Sequence, residues 1–411
     1  IGNQVDMTQI EITRLGHHGD GIAAGPIFAA KTLPGEIVEG DITGDRIFNP
    51  SVVTPSPDRV KPPCTHFKAC GRCALQHASD DFVAQWKSDV VRTALSHQGI
   101  DVPISSVFTS PSQSRRRATF AGRRTKKGVL VGLHGRASGT LVPVPNCVLM
   151  TQKIMDAMPA FEALVQIGGS RRVEMAITVT DSDAGLDVSV VDGKELDMEL
   201  RSDLADVVRE HGIIRLSWNG DEVVQETRPF LSFGRARLVP PPGAFLQATR
   251  HGEQSLISLM KEAVGGAERV VDLFAGCGTF ALPMAEFAEV HAVEGERAML
   301  NSLSEAWKTA PGLKPVTVAT RDLFRQPLLP EELKKFDAAI IDPPRAGALA
   351  QTGELAKSNL QSIGFVSCNP VTFGRDAKTL VEAGFTIDWL HVVDQFRWSP
   401  HVEIAAKFSR T

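Results

Sequence analysis

The sequence predicts an α/β chain: a Rossmann-like, mostly parallel sheet in its C-terminal part, preceded by a small OB-like β-barrel and a central α+β region. Three observations predict it. From about residue 245, apolar strand-like runs alternate with helical stretches, the order that gives a parallel sheet covered on both faces. One of those runs, Val270-Val271-Asp272-Leu273-Phe274, leads directly into the glycine turn Ala275-Gly276-Cys277-Gly278. Residues 5–58 are short runs broken by Gly and Pro, at the spacing of a small barrel.

Taken in order, the barrel runs are QIEITRLG, GIAAGPIFAA, EIVEGDITGD and SVVTPSP, and Pro55 to Pro63 ends them. A barrel domain is therefore expected over 1–58. Phe82, Trp86, Val90 and Leu95 recur at helical spacing and predict a helix over 79–98. Residues 114–235 mix strands, turns and two or three helices, so 59–240 reads as a central α+β domain. After Pro240-Pro241-Pro242 the strand candidates are RVVDLF, EVHAVEG, PVTVATRDL, FDAAIIDPP, SIGFVSC and FTIDWLHVVD, which define a domain over 241–411.

Composition sets limits. The 411 residues are 43% hydrophobic and 22% charged, ordinary globular usage that can bury real cores. No apolar run approaches the ~18 residues of a membrane span, and the N-terminus carries no charged-then-apolar leader pattern. The chain begins with Ile rather than Met, so a few residues are expected to precede it; a cytoplasmic protein is expected. The net charge of −4 gives no overall attraction to nucleic acid, so the distribution of charge matters more than its sum. Tyr is absent while Phe numbers 20, so any base stacking must use Phe, Trp, His or Arg.

The glycine turn lies at the carboxyl edge of the expected sheet, where open α/β sheets bind ligands. It is too short for the dinucleotide fingerprint, which argues against NAD. Glu294 ends the next strand, where an acid suits a ribose diol. Asp322 ends the third strand region, where it could face an adenine amino group, and Asp342 ends the fourth. A single strand-end acid is more often a helix cap; the ordered set points to an adenosylmethionine site. Phe365-Val366-Ser367-Cys368-Asn369-Pro370 is another apolar strand, ending in a Cys at the same edge. The bland reading is an inert core Cys. Against it, Asn369-Pro370 turns the chain away at once, and Arg375 stands near enough in sequence to lower the thiol pKa. On the last apolar strand, HVEIAAKF, Glu403 is either a solvent-facing acid or a base aimed into the pocket.

Two further clusters stand out. Cys64, Cys70 and Cys73, with Cys147 far downstream, form a three-plus-one pattern that suits a cubane iron–sulfur cluster better than zinc. Free thiols, or a zinc site completed by His66 or His77, are the alternatives. Ser114 to Lys127, SRRRATFAGRRTKK, holds seven basic residues with Phe120 among them. Such a run is either a solvated face or a phosphate-binding one; an oligonucleotide-binding barrel at 5–58 would add a second surface. Charge reversal at Arg115–Arg117 is expected to weaken RNA binding and spare cofactor binding.

DLFAGCGTF, AVEG, IIDPPRAG and FVSCNP, in that order, resemble the uracil-5 RNA methyltransferase family. Gly243-Ala244-Phe245-Leu246-Gln247 is similar to the family's F-x-Q segment, and His401-Val402-Glu403 to its end motif. The resemblance covers the whole chain, with the barrel resembling a TRAM domain. It implies a Rossmann-like methyltransferase domain that puts a methyl group on carbon 5 of a uridine, with Cys368 as nucleophile and Glu403 as proton-abstracting base. It implies S-adenosylmethionine held by Gln247, Phe274, Glu294 and Asp342, with Asp322 a weaker member. RNA cytosine-5 enzymes that resemble this class carry a Cys in the DPP segment; here there is none. CGRCALQH resembles the ligand segment of the ribosomal branch, which implies a 4Fe-4S cluster on Cys64, Cys70, Cys73 and Cys147, ribosomal RNA as partner ahead of transfer RNA, and a monomer. The end segment departs from the family pattern: Arg397 replaces a Pro, Ser399 a Thr and Pro400 a Gly, so the shape of that loop is not read from the motif.

Overall fold

The structure, a computed structural model, describes residues 9–410; positions 1–8 of the expected barrel segment lie outside the described residues. The N-terminal strands close into a barrel in the order Gln9–Leu15, Asp20–Ala23, Ile27–Ala30, Arg46–Thr54, Ile37–Thr43. Ile12, Ala29, Val38 and Ile47 fill it. The run GIAAGPIFAA makes two of these strands rather than one, because Gly25, at φ 99°, turns the chain between them.

The central part is a seven-stranded mixed sheet running from Asp221–Gln225 at one edge to Leu141–Val142 at the other. The helix Met158–Gly168 buries Phe161, Leu164 and Val165 in its core, and Met198–His211 buries Leu200, Leu204, Val207 and Val208 there.

The C-terminal sheet has eight strands in the order Val316–Thr320, Glu289–Glu294, Arg269–Leu273, Ala338–Ile341, Ser362–Ser367, Ile404–Ser409, Thr386–Asp394, Ser106–Thr109. All neighbours are parallel except Ile404–Ser409, which runs antiparallel to both of its partners. Its central strands are buried along nearly their whole length, and Ala338–Ile341 is apolar throughout, as a sheet covered on both faces requires. The α/β expectation is met strand by strand, and the connections to the first two parts are tighter than sequence suggested. Ser106–Thr109 pairs in parallel with Thr386–Asp394. The helix Asp80–Ser96, capped by the Ser79 hydroxyl, packs on the helix Pro370–Glu382, where Gly374 lets the two come close. Leu33, Leu75 and Trp86 join the barrel, the cysteine segment and this helix in one small core. Among the described residues no helix is long and apolar enough to cross a membrane.

Candidate active site

The register lines up the carboxyl ends of the central strands. Leu273 pairs with Val293 on one side and Ile341 on the other, and Ile341 pairs with Phe365. Phe274, Glu294 and Asp342 therefore leave the sheet side by side. The Glu294 carboxylate accepts from the Gly276 and Glu296 backbone N–H groups, both at 3.0 Å. Gly276, at φ 54°, has open space where a side chain would stand. Phe274 holds a left-handed φ of 61°, a strained state typical of ligand sites. Its ring lies 5.4 Å from that of Phe324. Asp322 is exposed and accepts the Phe324 N–H at 3.0 Å, so it caps the turn that presents Phe324.

Asp272 was not singled out in the sequence. Its carboxyl is wholly buried, neither oxygen has a hydrogen-bond partner among the described residues, and burial together with Asp342 and Glu294 holds it well above the usual carboxylate range. Three carboxyls crowded around a glycine turn make a nest for a cation. S-adenosylmethionine carries two positive centres, a sulfonium and an ammonium, so the donor set fits it.

Cys368 stands at the tip of Ser362–Ser367, half-buried, and lines two cavities of about 500 and about 610 Å³. The sulfur is therefore reachable. Asn369 caps the following helix, accepting the Val371 N–H, and Pro370 begins it. The Asn369 Nδ2 also donates to the Arg345 carbonyl at 2.9 Å, which fastens the DPPR segment to the strand tip. Burial pushes the thiol up to about 11, with Glu403 and Asp342 adding to the rise and Arg345 opposing it. The cation near the sulfur is thus Arg345. Arg375 instead donates to Asp376 at 2.8 Å and to the Ala346 carbonyl at 3.3 Å, because the buried Asp376 claims it.

Glu403 lies one residue beyond the ladder in which Ser367 pairs with Ile404, so it leaves the sheet beside Cys368. It is buried, and burial and Asp342 raise its carboxyl above the ordinary range while Gln395 opposes that. Gln247, also buried, donates from Nε2 to Asp342 at 3.3 Å.

The four cysteines of the three-plus-one pattern are free thiols, and Cys70, Cys73 and Cys147 pack together at the edge of the central core. The Cys73 thiol, pushed to about 12 by burial, also feels Cys147, Cys70 and Cys64. Among the described residues no three His, Cys, Asp or Glu side chains gather closely enough to ligate a single metal ion. Neither His66 nor His77 completes such a group; His66 Nε2 and both ring nitrogens of His77 are buried without a partner among the described residues.

The basic run divides. Arg115 and Arg117 line the 500 Å³ cavity together with Arg72, Arg136 and Arg345. Arg116 turns inward to a buried ion pair with Glu253 and donates to the Gln247 carbonyl at 3.4 Å. Phe120 is sealed in the core against Phe161 and is no stacking platform. Strand alternation explains the split, since alternate residues of Arg117–Arg124 face the core. The expectation for the 115–117 triplet therefore holds for two of its positions at most, because reversing Arg116 would strike the Gln247 strap. The structure adds His18, Arg72 and His401 to the cavity. They come from three distant segments; Arg72 and His401 lie inside motifs quoted for other residues, and no local pattern marks His18.

Known proteins resemble this chain in sequence and in fold. The profile of the tRNA (uracil-5-)-methyltransferase family matches residues 318–411. An uncharacterised RNA methyltransferase of Rhizobium meliloti is 42% identical over 410 residues, 98% of this chain and 99% of the relative. A 23S rRNA (uracil(1939)-C(5))-methyltransferase of Shewanella piezotolerans is 29% identical, covering 97% of this chain and 95% of the relative. The solved tRNA (uracil-54, C5)-methyltransferase of Pyrococcus abyssi, in complex with S-adenosyl-L-homocysteine, shares the fold at a TM-score of 0.76 and 23% identity, covering 97% of this chain and 99% of that one. With relatives matched over nearly the whole chain and the family profile matched at its C-terminal end, the chain belongs to the uracil-5 RNA methyltransferase family.

Proposed function

We propose that this chain methylates carbon 5 of one uridine in 23S ribosomal RNA, with Cys368 as nucleophile and Glu403 as base. The observation that carries the reading is a reachable Cys368 at the wall of two cavities, leaving the sheet beside Glu403. Carbon 5 of uracil is a poor nucleophile. Addition of the Cys368 thiolate to carbon 6 pushes the ring electrons into an enolate and makes carbon 5 nucleophilic. S-adenosylmethionine, when held by Gln247, Phe274, Glu294, Asp322 and Asp342, supplies an electrophilic methyl group to that carbon. Glu403 then takes the carbon-5 proton; the C–H electrons form the C5=C6 bond and the C6–S bond breaks, returning the thiolate. The uridine must be unpaired or flipped out to reach the sulfur.

RNA carrying 5-fluorouridine tests this, because fluorine cannot leave as a proton. With cofactor present the wild type should form an adduct that survives a denaturing gel, and Cys368→Ser should not. A wild type that forms no adduct would sink the reading and leave an RNA-binding protein.

Ribosomal RNA is favoured by the Shewanella relative, which matches nearly end to end, and by the cysteine quartet. The chain would then comprise a TRAM-like barrel at 1–58, a central RNA-binding part at 59–240 and the methyltransferase part at 241–411, with Asp80–Ser96 and Ser106–Thr109 leaning on the last. The quartet is assigned to a 4Fe-4S cluster. Its support is the three-plus-one spacing and the position of Cys70, Cys73 and Cys147 at one edge of the central core, where Cys73 also feels the other three thiols. Anaerobic preparation should yield iron and acid-labile sulfide; zinc in their place would overturn the assignment. The fold likeness to the Pyrococcus enzyme keeps a transfer-RNA T-loop uridine as the second reading. Mass spectrometry of both RNA classes from a deletion strain separates the two, by which 5-methyluridine disappears.

A further inference from the structure

We propose that Gln395 is a positioning residue for the methylation reaction: one amide that holds Glu403 as an ionised acceptor and ties it, through Gln247, to Asp342. The inference rests on the reading of Glu403 as the base and goes beyond it, because Gln395 acts only through that residue.

The hydrogen bonds fix the amide without ambiguity. Gln395 Oε1 accepts the Ala248 backbone N–H at 2.7 Å. A backbone N–H can only donate, so the atom facing it is the carbonyl oxygen and the amide is not flipped. Gln395 Nε2 then has two hydrogens and two acceptors, Gln247 Oε1 at 2.6 Å and Glu403 Oε2 at 2.9 Å. The second amide is fixed in turn. With its oxygen turned to Gln395, Gln247 presents its NH₂ to Asp342 Oδ2 at 3.3 Å. A single backbone donor thus orients two amides and gives the carboxyls of Glu403 and Asp342 a donor each.

The surroundings leave no slack. Gln395, Gln247 and Glu403 are each under 5% exposed, so none can exchange a partner for bulk water. Gly252 packs directly on Gln395; a Cβ there would stand 2.6 Å from the Gln395 Cβ. Next along the chain, Asp394 is held by Lys87 at 2.5 Å. A carboxylate that accepts an N–H is favoured over its acid form. A protonated Glu403 that aimed its O–H at Gln395 would meet another donor. Gln395 therefore resists the proton that burial and Asp342 invite, and keeps Glu403 able to take the proton from carbon 5.

The test follows methylated RNA through its release. When proton abstraction fails, the methyl is already on carbon 5 but the C6–S bond persists. Gln395→Leu removes the hydrogen bonds at similar volume. Gln395→Glu keeps an acceptor for Ala248 but replaces the donor to Glu403 with a like charge. With natural RNA and radiolabelled methyl donor, both variants should turn over roughly 10- to 100-fold more slowly. They should also accumulate a methyl-labelled covalent protein–RNA adduct, about one per enzyme, while trapping 5-fluorouridine RNA within about threefold of the wild-type rate. Glu403→Gln serves as the reference for that signature. Should Gln395→Leu fail to fold, as judged by its melting temperature, Gln395→Glu carries the test. Wild-type release with no accumulated adduct overturns the proposal. So does a folded variant that loses trapping and turnover together, since Gln395 would then support the whole pocket. A wild type that traps nothing breaks the functional reading instead.

Discussion

At Cys368 burial and two carboxyls oppose the charge that the proposed attack by its sulfur needs, and Arg345 is the group that favours it. With the thiol near 11, the thiolate fraction grows about tenfold per pH unit below that value. Removing Arg345 raises the thiol further, so at any fixed pH below it the rate must fall and the profile must move to higher pH. Arg345→Met should slow adduct formation with 5-fluorouridine RNA between pH 7 and 9 by roughly tenfold for each pKa unit gained, and Arg345→Lys should restore most of it. An unmoved profile, with only weaker RNA binding, would make Arg345 a phosphate contact and nothing more. The position of Cys368 was legible in the sequence, because an apolar strand cut short by Asn369-Pro370 exposes whatever precedes the break. Its cation was not. Arg375 is nearer along the chain, but only the folded molecule shows the Asn369 amide holding the Arg345 backbone beside the strand tip. Asp272 was hidden for a related reason: alternation along one strand says that it is buried, not that three strands converge their acids around it.

The segment 394–403 shows how one loop is held by three other parts of the chain. Lys87, from the helix Asp80–Ser96, pairs with Asp394 at 2.5 Å, and both side chains are sealed from water. Arg397 donates to Asp80 at 2.6 Å and to the Ser110 carbonyl at 3.0 Å. The Trp398 carbonyl accepts the Ala74 and Leu75 N–H groups, which follow the cysteine cluster, at 2.8 and 2.9 Å. Arg397, which stands where the family has Pro, thus uses the freedom of a non-proline residue to reach another element. Ser399 still closes the turn, accepting the His401 N–H at 3.3 Å. None of this could be read from the motif, since each contact joins segments far apart in the chain. Lys87→Met leaves Asp394 buried and unpaired, at a cost of about 3–5 kcal/mol. Its denaturation midpoint should fall accordingly. Adding Asp394→Leu should return a large part of that loss, because two apolar groups leave no orphaned charge. A double variant no better than the single one would mean that packing, not charge, sets the penalty.

Across the whole molecule, a chain of net charge −4 builds a basic chamber by folding rather than by composition. His18 comes from the barrel, Arg72 from the cysteine segment, Arg115 and Arg117 from the central sheet, and Arg345 and Cys368 from the C-terminal sheet. Arg136 helps to lock the assembly, pairing with Asp20 of the barrel at 2.6 Å. The sequence announced the basic run and the barrel as separate surfaces; their convergence on one sulfur needed the tertiary contacts through Leu33, Leu75 and Trp86. Because the positive charge is local, RNA binding should fall with salt as phosphates exchange counterions for arginines. Arg72 is exposed, with its side chain on the chamber wall, so Arg72→Ala should weaken binding of any RNA sequence about equally. It should reduce the slope of log affinity against log salt by about 1 while leaving cofactor affinity unchanged. Arg116→Ala should do the reverse. That side chain never reaches the chamber; it neutralises Glu253 and braces the Gln247 carbonyl, so its loss should lower stability and cofactor affinity and leave the salt slope alone. If both variants changed the slope alike, the division of the run into a phosphate-facing and a core-facing side would be wrong, and the RNA path would have to be sought elsewhere on the surface.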